Sequence, residues 1–316
     1  MRGYILRRLA FALFLVVAVS SASLILTELA PGDYASGALG MRARPEAIER
    51  ARERYGLNRS LGEQYRDWVA HAVRFDFGTS LLYDRPVREL IPERAANTAV
   101  LALTALAIAT LVGLPLGVVS GSRSGGAVPH VIRAASVVLL SMPPLLTSLF
   151  LVFVAARTGW VPIAGMRSAA VPEGGAFVDL LKHLVVPAAA IALPLAAMFE
   201  RLQAQAMRDA IVQPFVVATL ARGVSRRRVV WRDALKVALR PVAAVYGLVV
   251  GTLLSGSFAV EVITAWPGLG RLMLDALGAR DVYLVAGCAG TGAVFLACAT
   301  LASDVALAFV DPRVRE

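Results

Sequence analysis

The sequence predicts an all-α polytopic membrane protein. It is expected to have six transmembrane helices, a large extracytoplasmic loop after the first helix, and a helix-containing cytoplasmic loop between the fourth and fifth. Three observations predict this. Of the 316 residues, 58% are hydrophobic and the mean hydropathy is +0.68. Long uncharged runs recur along the chain, which a soluble core of this size does not need. The formal charge of +10 gathers near the ends of those runs, and positive-inside topology accounts for that without nucleic acid. The densest basic block, Glu200 to Pro241, lies between two apolar spans and cannot sit in hydrocarbon.

The chain opens with Arg2, Arg7 and Arg8, followed by an apolar run from Leu9 to Leu29. That run is too long for a signal peptide, so it reads as a retained first span that starts in the cytoplasm. Pro45 to Arg54 reads as a helix with Pro at its first position and Gly56 just past its end. Leu61, Tyr65, Trp68 and Ala72 share one face of a second amphipathic helix. Asp33 to Arg94 holds eleven arginines and ten acids. So long a loop is exempt from the charge rule, and it is expected outside as a small helical cap.

Five more spans are expected at about 97–120, 132–156, 184–201, 242–262 and 283–309. Gly121 to Arg133 carries Arg123 and Arg133 and reads as cytoplasmic. Arg157 to Lys182 and Thr264 to Asp281 return outside. Both termini fall inside. Pro115, Pro143-Pro144, Pro187 and Pro194 interrupt the spans, which membrane helices tolerate when packed on protein or lining a cavity. Gly113, Gly117 and Gly121 recur every four residues, as do Gly247, Gly251 and Ser255. Small residues at that spacing permit close helix contact, within one chain or between subunits.

Several chemistries find no residues to carry them. Cys288 and Cys298 are ten positions apart in one span, about 15 Å along a helix, so they cannot pair within it and read as packing residues. His71, His130 and His183 lack ligand spacing, so no metal site is expected. There is no phosphate loop, since neither lysine follows a glycine, and no His-Glu-x-x-His pair or nucleophile elbow. Glu28, Glu200, Glu261 and Asp304 lie near predicted span ends, where interfacial solvation is the ordinary explanation. A transporter with neither an ATP site nor an ion relay draws its energy from another subunit.

The basic block has internal order. Between Arg222 and Arg240 there are seven cations and one acid, Asp233. Gln213 to Leu220 reads as a short helix with Phe215, Val216 and Leu220 as its apolar members. Gly223 suits a left-handed stop. Ser225 can cap a second helix by accepting from N–H groups two or three residues on. That helix is expected to end before Pro241, which can start the next span.

These residues resemble the loop motif of permeases in binding-protein-dependent ATP-binding cassette importers. Ala221-Arg222-Gly223-Val224-Ser225, then Ala238-Leu239-Arg240-Pro241-Val242, is similar to the dipeptide and oligopeptide version. Val217 stands where many members carry a charge. The similarity extends over nearly the whole chain. It includes Tyr4-Ile5-Leu6-Arg7-Arg8, Leu29-Ala30-Pro31-Gly32-Asp33, Tyr55-Gly56-Leu57-Asn58 and Gln64-Tyr65. Further along it includes Phe75-Asp76-Phe77-Gly78-Thr79-Ser80, Ser141-Met142-Pro143-Pro144 and His183-Leu184-Val185-Val186-Pro187. Near the end it takes in Glu261 with Trp266-Pro267-Gly268-Leu269-Gly270, Arg280-Asp281, Asp304 and Asp311-Pro312-Arg313. The set resembles the first of the two permease subunits of such importers.

The resemblance implies a subunit that translocates peptides, or alternatively nickel or another small solute, across a bacterial or archaeal cytoplasmic membrane. It implies a second homologous permease, two ATPase subunits that carry ATP and Mg, and an extracytoplasmic binding protein. This chain itself would bind no cofactor and catalyse no reaction. Residues 1–30 would form the first helix, 31–96 the cap, 97–310 the five-helix core with its coupling loop 202–241, and 311–316 a cytoplasmic tail. Phe215, Ala218, Thr219, Ala221, Arg222, Gly223 and Ser225 would couple to the ATPase. Glu261, Trp266, Pro267, Gly268 and Gly270 are candidates for a pathway or external gate, with re-entry and a tight turn both open for their loop. The rival from another class is a self-sufficient transporter driven by an ion gradient, and a membrane-embedded enzyme is a third.

Overall fold

The computed structural model describes residues 2–29, 34–35, 45–55, 57–72, 74, 76–123, 125–168 and 174–310. The chain begins with α1 (Arg2–Leu29), α2 (Pro45–Tyr55) and α3 (Leu61–Ala72). A two-stranded antiparallel hairpin follows, β1 (Thr79–Ser80) and β2 (Arg85–Pro86), with Thr79 opposite Pro86. Then come α4 (Val87–Ser122), α5 (Ala127–Ser141), α6 (Pro144–Thr158), α7 (Ala176–Ile211) and α8 (Pro214–Ala221). A short α9 (Arg226–Arg228) runs into a π-helical segment, π1 (Val229–Ala234), and on into α10 (Leu235–Ile263). The last two are α11 (Leu269–Ala279) and α12 (Val282–Val310). Gly56, Phe75, Pro31-Gly32-Asp33 and Asp311-Pro312-Arg313 lie outside the described residues, as do the side chains of Glu28, Ser255 and Asp304.

Five stretches are long and apolar enough to cross a membrane, in α1, α4, α7, the run from α9 into α10, and α12. The expected span at 132–156 is instead two helices, α5 and α6, bent by 104°. The cause is local. Pro143 is extended (φ −59°, ψ 146°), and Pro144 takes the first position of α6, where a missing N–H costs nothing. Each half has 15 residues, about 22 Å of helix, which is short of a hydrocarbon core of about 30 Å. The other prolines do not break their helices: Pro115, Pro187, Pro194 and Pro241 all lie inside continuous elements. The expectation that Pro241 starts a span is therefore corrected, since helix runs unbroken from Arg226 to Ile263. Neighbouring helices can re-satisfy the carbonyls such prolines free.

Two compact units emerge. The first comprises Met1–Ala99 with Pro267–Ala297, and the second Val100–Trp266 with Cys298–Glu316. In the first, three of the four residues predicted on one face of α3 pack together: Trp68 is buried with Leu24, Val282 and Ala286, and Tyr65 and Ala72 lie against them, while the side chain of Leu61 lies outside the described residues. A second cluster joins Val87 and Ile91 of α4 to Leu269, Leu272 and Ala276 of α11 and Leu284 of α12. Gly287 permits that contact, because a Cβ there would sit 2.7 Å from Val87 Cγ1.

In the second unit α7 is the central element. Of its apolar window 61% is buried, against 11% for α1. Leu101 and Ala105 of α4, Val242 and Val249 of α10, and Trp266 close around Leu184, Ile191 and Phe199 of α7. The glycine stripe of α4 packs within the chain. A Cβ on Gly113 would meet Ala196 O at 2.5 Å, and one on Gly117 would meet Gln203 Cβ at 2.6 Å. Backbones approach this closely only where side chains are absent.

Two expectations about polar residues fail here. Glu200 is not solvated at a span end but 1% exposed, deep in a helix that continues to Ile211. Glu261 is fully buried as well. Of the two cysteines, Cys288 is buried and Cys298 is exposed, so only the first is enclosed by its own chain.

Candidate coupling site

The densest charge of the chain is carried by a helical turn in the second unit. Gln213 enters in extended conformation (φ −67°, ψ 142°) and Pro214 takes the first position of α8, where proline's fixed φ is preorganised. The helix has two unlike faces. Val216 is 1% exposed and packs with Met207, Val229, Val230 and Ala234. Phe215, Val217 and Leu220 are exposed by 42%, 55% and 38%. The buried valine ties α8 to α7 and π1, while the opposite face presents apolar surface to whatever lies outside the chain.

The turn closes as predicted at Gly223, whose φ is +83° and whose N–H donates to Leu220 O at 2.9 Å. A Cβ there would meet nothing within 4 Å, so the glycine is required by backbone conformation and not by space. Thr219 Oγ1 donates to Phe215 O at 2.8 Å and accepts from Arg222 Nη2 at 3.1 Å. Ser225 stands at the start of α9 (φ −59°, ψ 137°), but its side chain makes no cap bond, contrary to expectation. Its carbonyl accepts from Val229 N at 3.1 Å instead. Of the seven expected coupling residues, Phe215, Ala218, Ala221, Arg222, Gly223 and Ser225 are exposed and Thr219 is half-buried. They are thus brought together on one turn.

Other participants were not visible in the sequence. Arg226 Nη2 donates to Ser122 O at 3.0 Å, tying the restart of the chain to the last turn of α4. Two residues earlier, Ser120 Oγ donates to Glu200 Oε1. Glu200 Oε2 and both amide atoms of Gln203 are buried without a partner among the described residues. The π1 segment holds a wide turn immediately after the three arginines of α9. Nothing in periodicity announces such a turn, because it adds one residue without changing composition.

The candidate gate divides between the units. In the second, Trp266 N donates to Glu261 O at 2.9 Å and Gly165 N to Thr264 O at 2.9 Å, which makes residues 264–266 a tight turn with Trp266 fully buried. In the first, Asn97 Nδ2 donates to Pro267 O at 2.9 Å, and Leu269 N donates to Thr98 Oγ1 at 2.7 Å. Gly268 precedes α11, and Gly270 lies in its first turn, buried. Most of the segment expected as an external loop is therefore helix. Its end is fastened by a residue the sequence marked only by resemblance. Asp281 accepts from Ser80 Oγ at 2.6 Å, Leu82 N at 3.0 Å and Leu284 N at 3.1 Å. Two motifs some two hundred positions apart thus meet on one carboxylate.

Long apolar helices joined through an exposed helical turn define a polytopic membrane protein. The comparisons with known proteins make this specific. Residues 113–316 match the model of the binding-protein-dependent transport system inner membrane component, and residues 1–81 match that of the N-terminal part of such membrane components. The chain belongs to this family of transport permeases, whose members are transport subunits and not enzymes. It is 31% identical to the oligopeptide transport system permease protein AppB of Bacillus subtilis, over 99% of both chains. It is 33% identical to a putative peptide transport system permease protein of Brucella abortus, over 100% of this chain and 99% of that one. It is 29% identical to the di/tripeptide transport system permease protein DppB of Pseudomonas aeruginosa, with the same coverage.

Proposed function

We propose that this chain is one of two permease subunits of an ATP-binding cassette importer for peptides. A second homologous permease completes the pathway, an extracytoplasmic binding protein delivers the substrate, and two ATPase subunits drive the cycle with ATP and Mg. Six spans with both termini in the cytoplasm place α8 and the Gly223 turn inside. The peptide assignment draws support from the full-length relatives named for peptide transport. Nickel or another small solute is the alternative within the family.

One observation carries the coupling role: α8 buries Val216 in its own chain while exposing Phe215, Val217 and Leu220 beside the Gly223 turn. A helix anchored on one face and apolar on the other can transmit a displacement of its partner to α7 and α10. This requires that the partner bind the two conformations with different affinity. Glu261 and the Trp266–Gly270 segment are assigned to the external end of the pathway.

The test is a disulfide or bifunctional cross-link from a cysteine placed at Thr219 to the ATPase subunit of the purified transporter. An efficient cross-link whose yield changes with ATP is expected, with none from a cysteine at Trp160. No cross-link from Thr219, together with uptake by the chain alone in proteoliposomes under an ion gradient, would establish the secondary-transporter alternative.

A further inference from the structure

Between the Gly223 turn and the apolar length of α10, the helix that ends at Ile263 carries two weak points. The π1 segment, Val229–Ala234, widens its hydrogen-bonding, and Pro241 follows within α10. Sharp bends in helices gather at such places, and Pro241 also leaves the carbonyl four residues before it without its N–H donor. A displacement of the Gly223 turn can therefore be absorbed here as bending before it reaches the rest of α10. Two hydrogen bonds tie this helix to α4, one on each side of the weak points.

The first tie is Arg226 Nη2, which donates to Ser122 O at 3.0 Å. Ser122 is the last residue of α4, so its carbonyl has no donor within the helix, and the negative end of the helix dipole favours a guanidinium. The second tie joins the hydroxyls of Tyr246 and Thr110. Thr110 Oγ1 commits its single proton to Leu106 O at 2.7 Å, so the Tyr246 O–H is the donor and Thr110 Oγ1 the acceptor. The Tyr246 ring also stacks on Phe199 of α7, with centroids 5.3 Å apart and planes 6° from parallel. Lipid tails are as apolar as the side chains around them, so helices in a membrane are held by packing and interhelical hydrogen bonds. One tie leaves α4 free to turn about it. Two ties, about 18 Å apart along α4, fix both its rotation and its register.

We infer that α4 is a splint across π1 and Pro241. Held by Arg226 on one side and Tyr246 on the other, it carries a displacement of the Gly223 turn past both weak points into the rest of α10. Arg226, Thr110 and Tyr246 are positioning residues for coupling, and none of them needs to touch an ATPase or the substrate. The inference deepens the coupling role proposed for α8 and rests on it. A splint fastened at one end does not brace, so loss of either tie loses the whole effect.

The experiment uses the complete transporter with its binding protein in proteoliposomes and reads the ATP hydrolysed per trialanine taken up. R226M removes the first tie, and Y246F removes the second while keeping the ring on Phe199. Each is expected to raise the ratio by about threefold or more, and R226M/Y246F to raise it no further than the larger single change. R226K, which can still donate to Ser122 O, should stay near wild type. In thermal unfolding the two losses should add, as changes more than about 7–10 Å apart ordinarily do. The inference is overturned by an unchanged ratio in either single variant, by ratios that multiply in the double variant, or by thermal losses that also saturate. It is overturned as well if R226M abolishes the Thr219 cross-link, which makes Arg226 part of the docking surface. A wild-type transporter that gives no Thr219 cross-link sinks the coupling proposal itself; a normal cross-link with multiplying ratios sinks the splint alone.

Discussion

Gly223 and Ser120 show two different ways in which one residue can matter. At Gly223 the constraint is conformational: φ is +83° and a Cβ would meet nothing within 4 Å. Any L residue there bears a left-handed penalty of about 1–2 kcal/mol, and alanine and tryptophan should bear it almost equally. Their difference then reports what lies outside the chain. G223A and G223W are expected to insert and unfold alike, while G223A keeps most uptake and G223W abolishes it. Equal uptake in both would remove the docking surface. At Ser120 the constraint is a buried bond to Glu200. S120A leaves a buried carboxyl without that partner, at a cost of about 1–3 kcal/mol. The double variant S120A/E200M removes the polar pair altogether and should recover most of the loss. Thermal unfolding of the detergent-solubilised transporter ranks the two, and a double variant no better than S120A would mean the pair is not what holds α4 to α7.

Helices of this chain do not always end where hydropathy changes. The span expected at 184–201 is a helix from Ala176 to Ile211, because charge forbids lipid but not helix, and exposed cations can line a helix in water. Hydropathy therefore marked the apolar windows and missed the helical extension on both sides of the Gly223 turn. Pro143-Pro144 was legible as an irregularity, but the 104° bend depends on the extended Pro143, and no pattern of side chains encodes that angle. The turn that carries the proposed coupling residues was legible because Gly223 and the short apolar helix are local signals. Val216 as anchor, Arg226 on Ser122 O, and Glu200 with Gln203 were not, because each depends on an element far away in sequence. A local cap also carries a pH dependence. In α3, Ser60 N donates to Glu63 Oε2 at 3.1 Å and Glu63 N to Ser60 Oγ at 3.4 Å, a capping box. The Ser60 hydroxyl, then the Ser60 N–H, hold the Glu63 carboxyl below its ordinary value. A depressed folded pKa means the cap is fully present above the unfolded carboxylate range and is lost as pH falls through the lower, folded value. Hydrogen exchange of the first turn of α3, compared with E63Q at matched pH, should show protection that declines only on acidification below about pH 4. Protection that is flat with pH in the wild type would exclude the ionised cap.

At the scale of the whole molecule, the bent pair α5–α6 decides which way everything after it faces. If the pair crosses the membrane, Arg123 and the segment after Thr158 lie on opposite sides, and the Gly223 turn is cytoplasmic. If the pair enters and leaves on one side, every later element inverts, and the seven cations between Arg222 and Arg240 face outward. Basic residues in short loops near span ends are strongly biased to the cytoplasm, and no other loop carries enough of them to oppose that block. Charge therefore favours the crossing that the proposed six-span topology needs, even though each half alone is too short to span. Two exposed positions test it: Arg123, and Trp160 at 82% exposure. In a background with Cys288 and Cys298 replaced by serine, W160C should react with a membrane-impermeant maleimide on intact cells. R123C should react only after permeabilisation. Labelling of both from the same side would make α5–α6 a re-entrant pair, put the Gly223 turn outside, and end the coupling assignment. Opposite sides, with W160C outside, keep α8 where an ATPase can reach it.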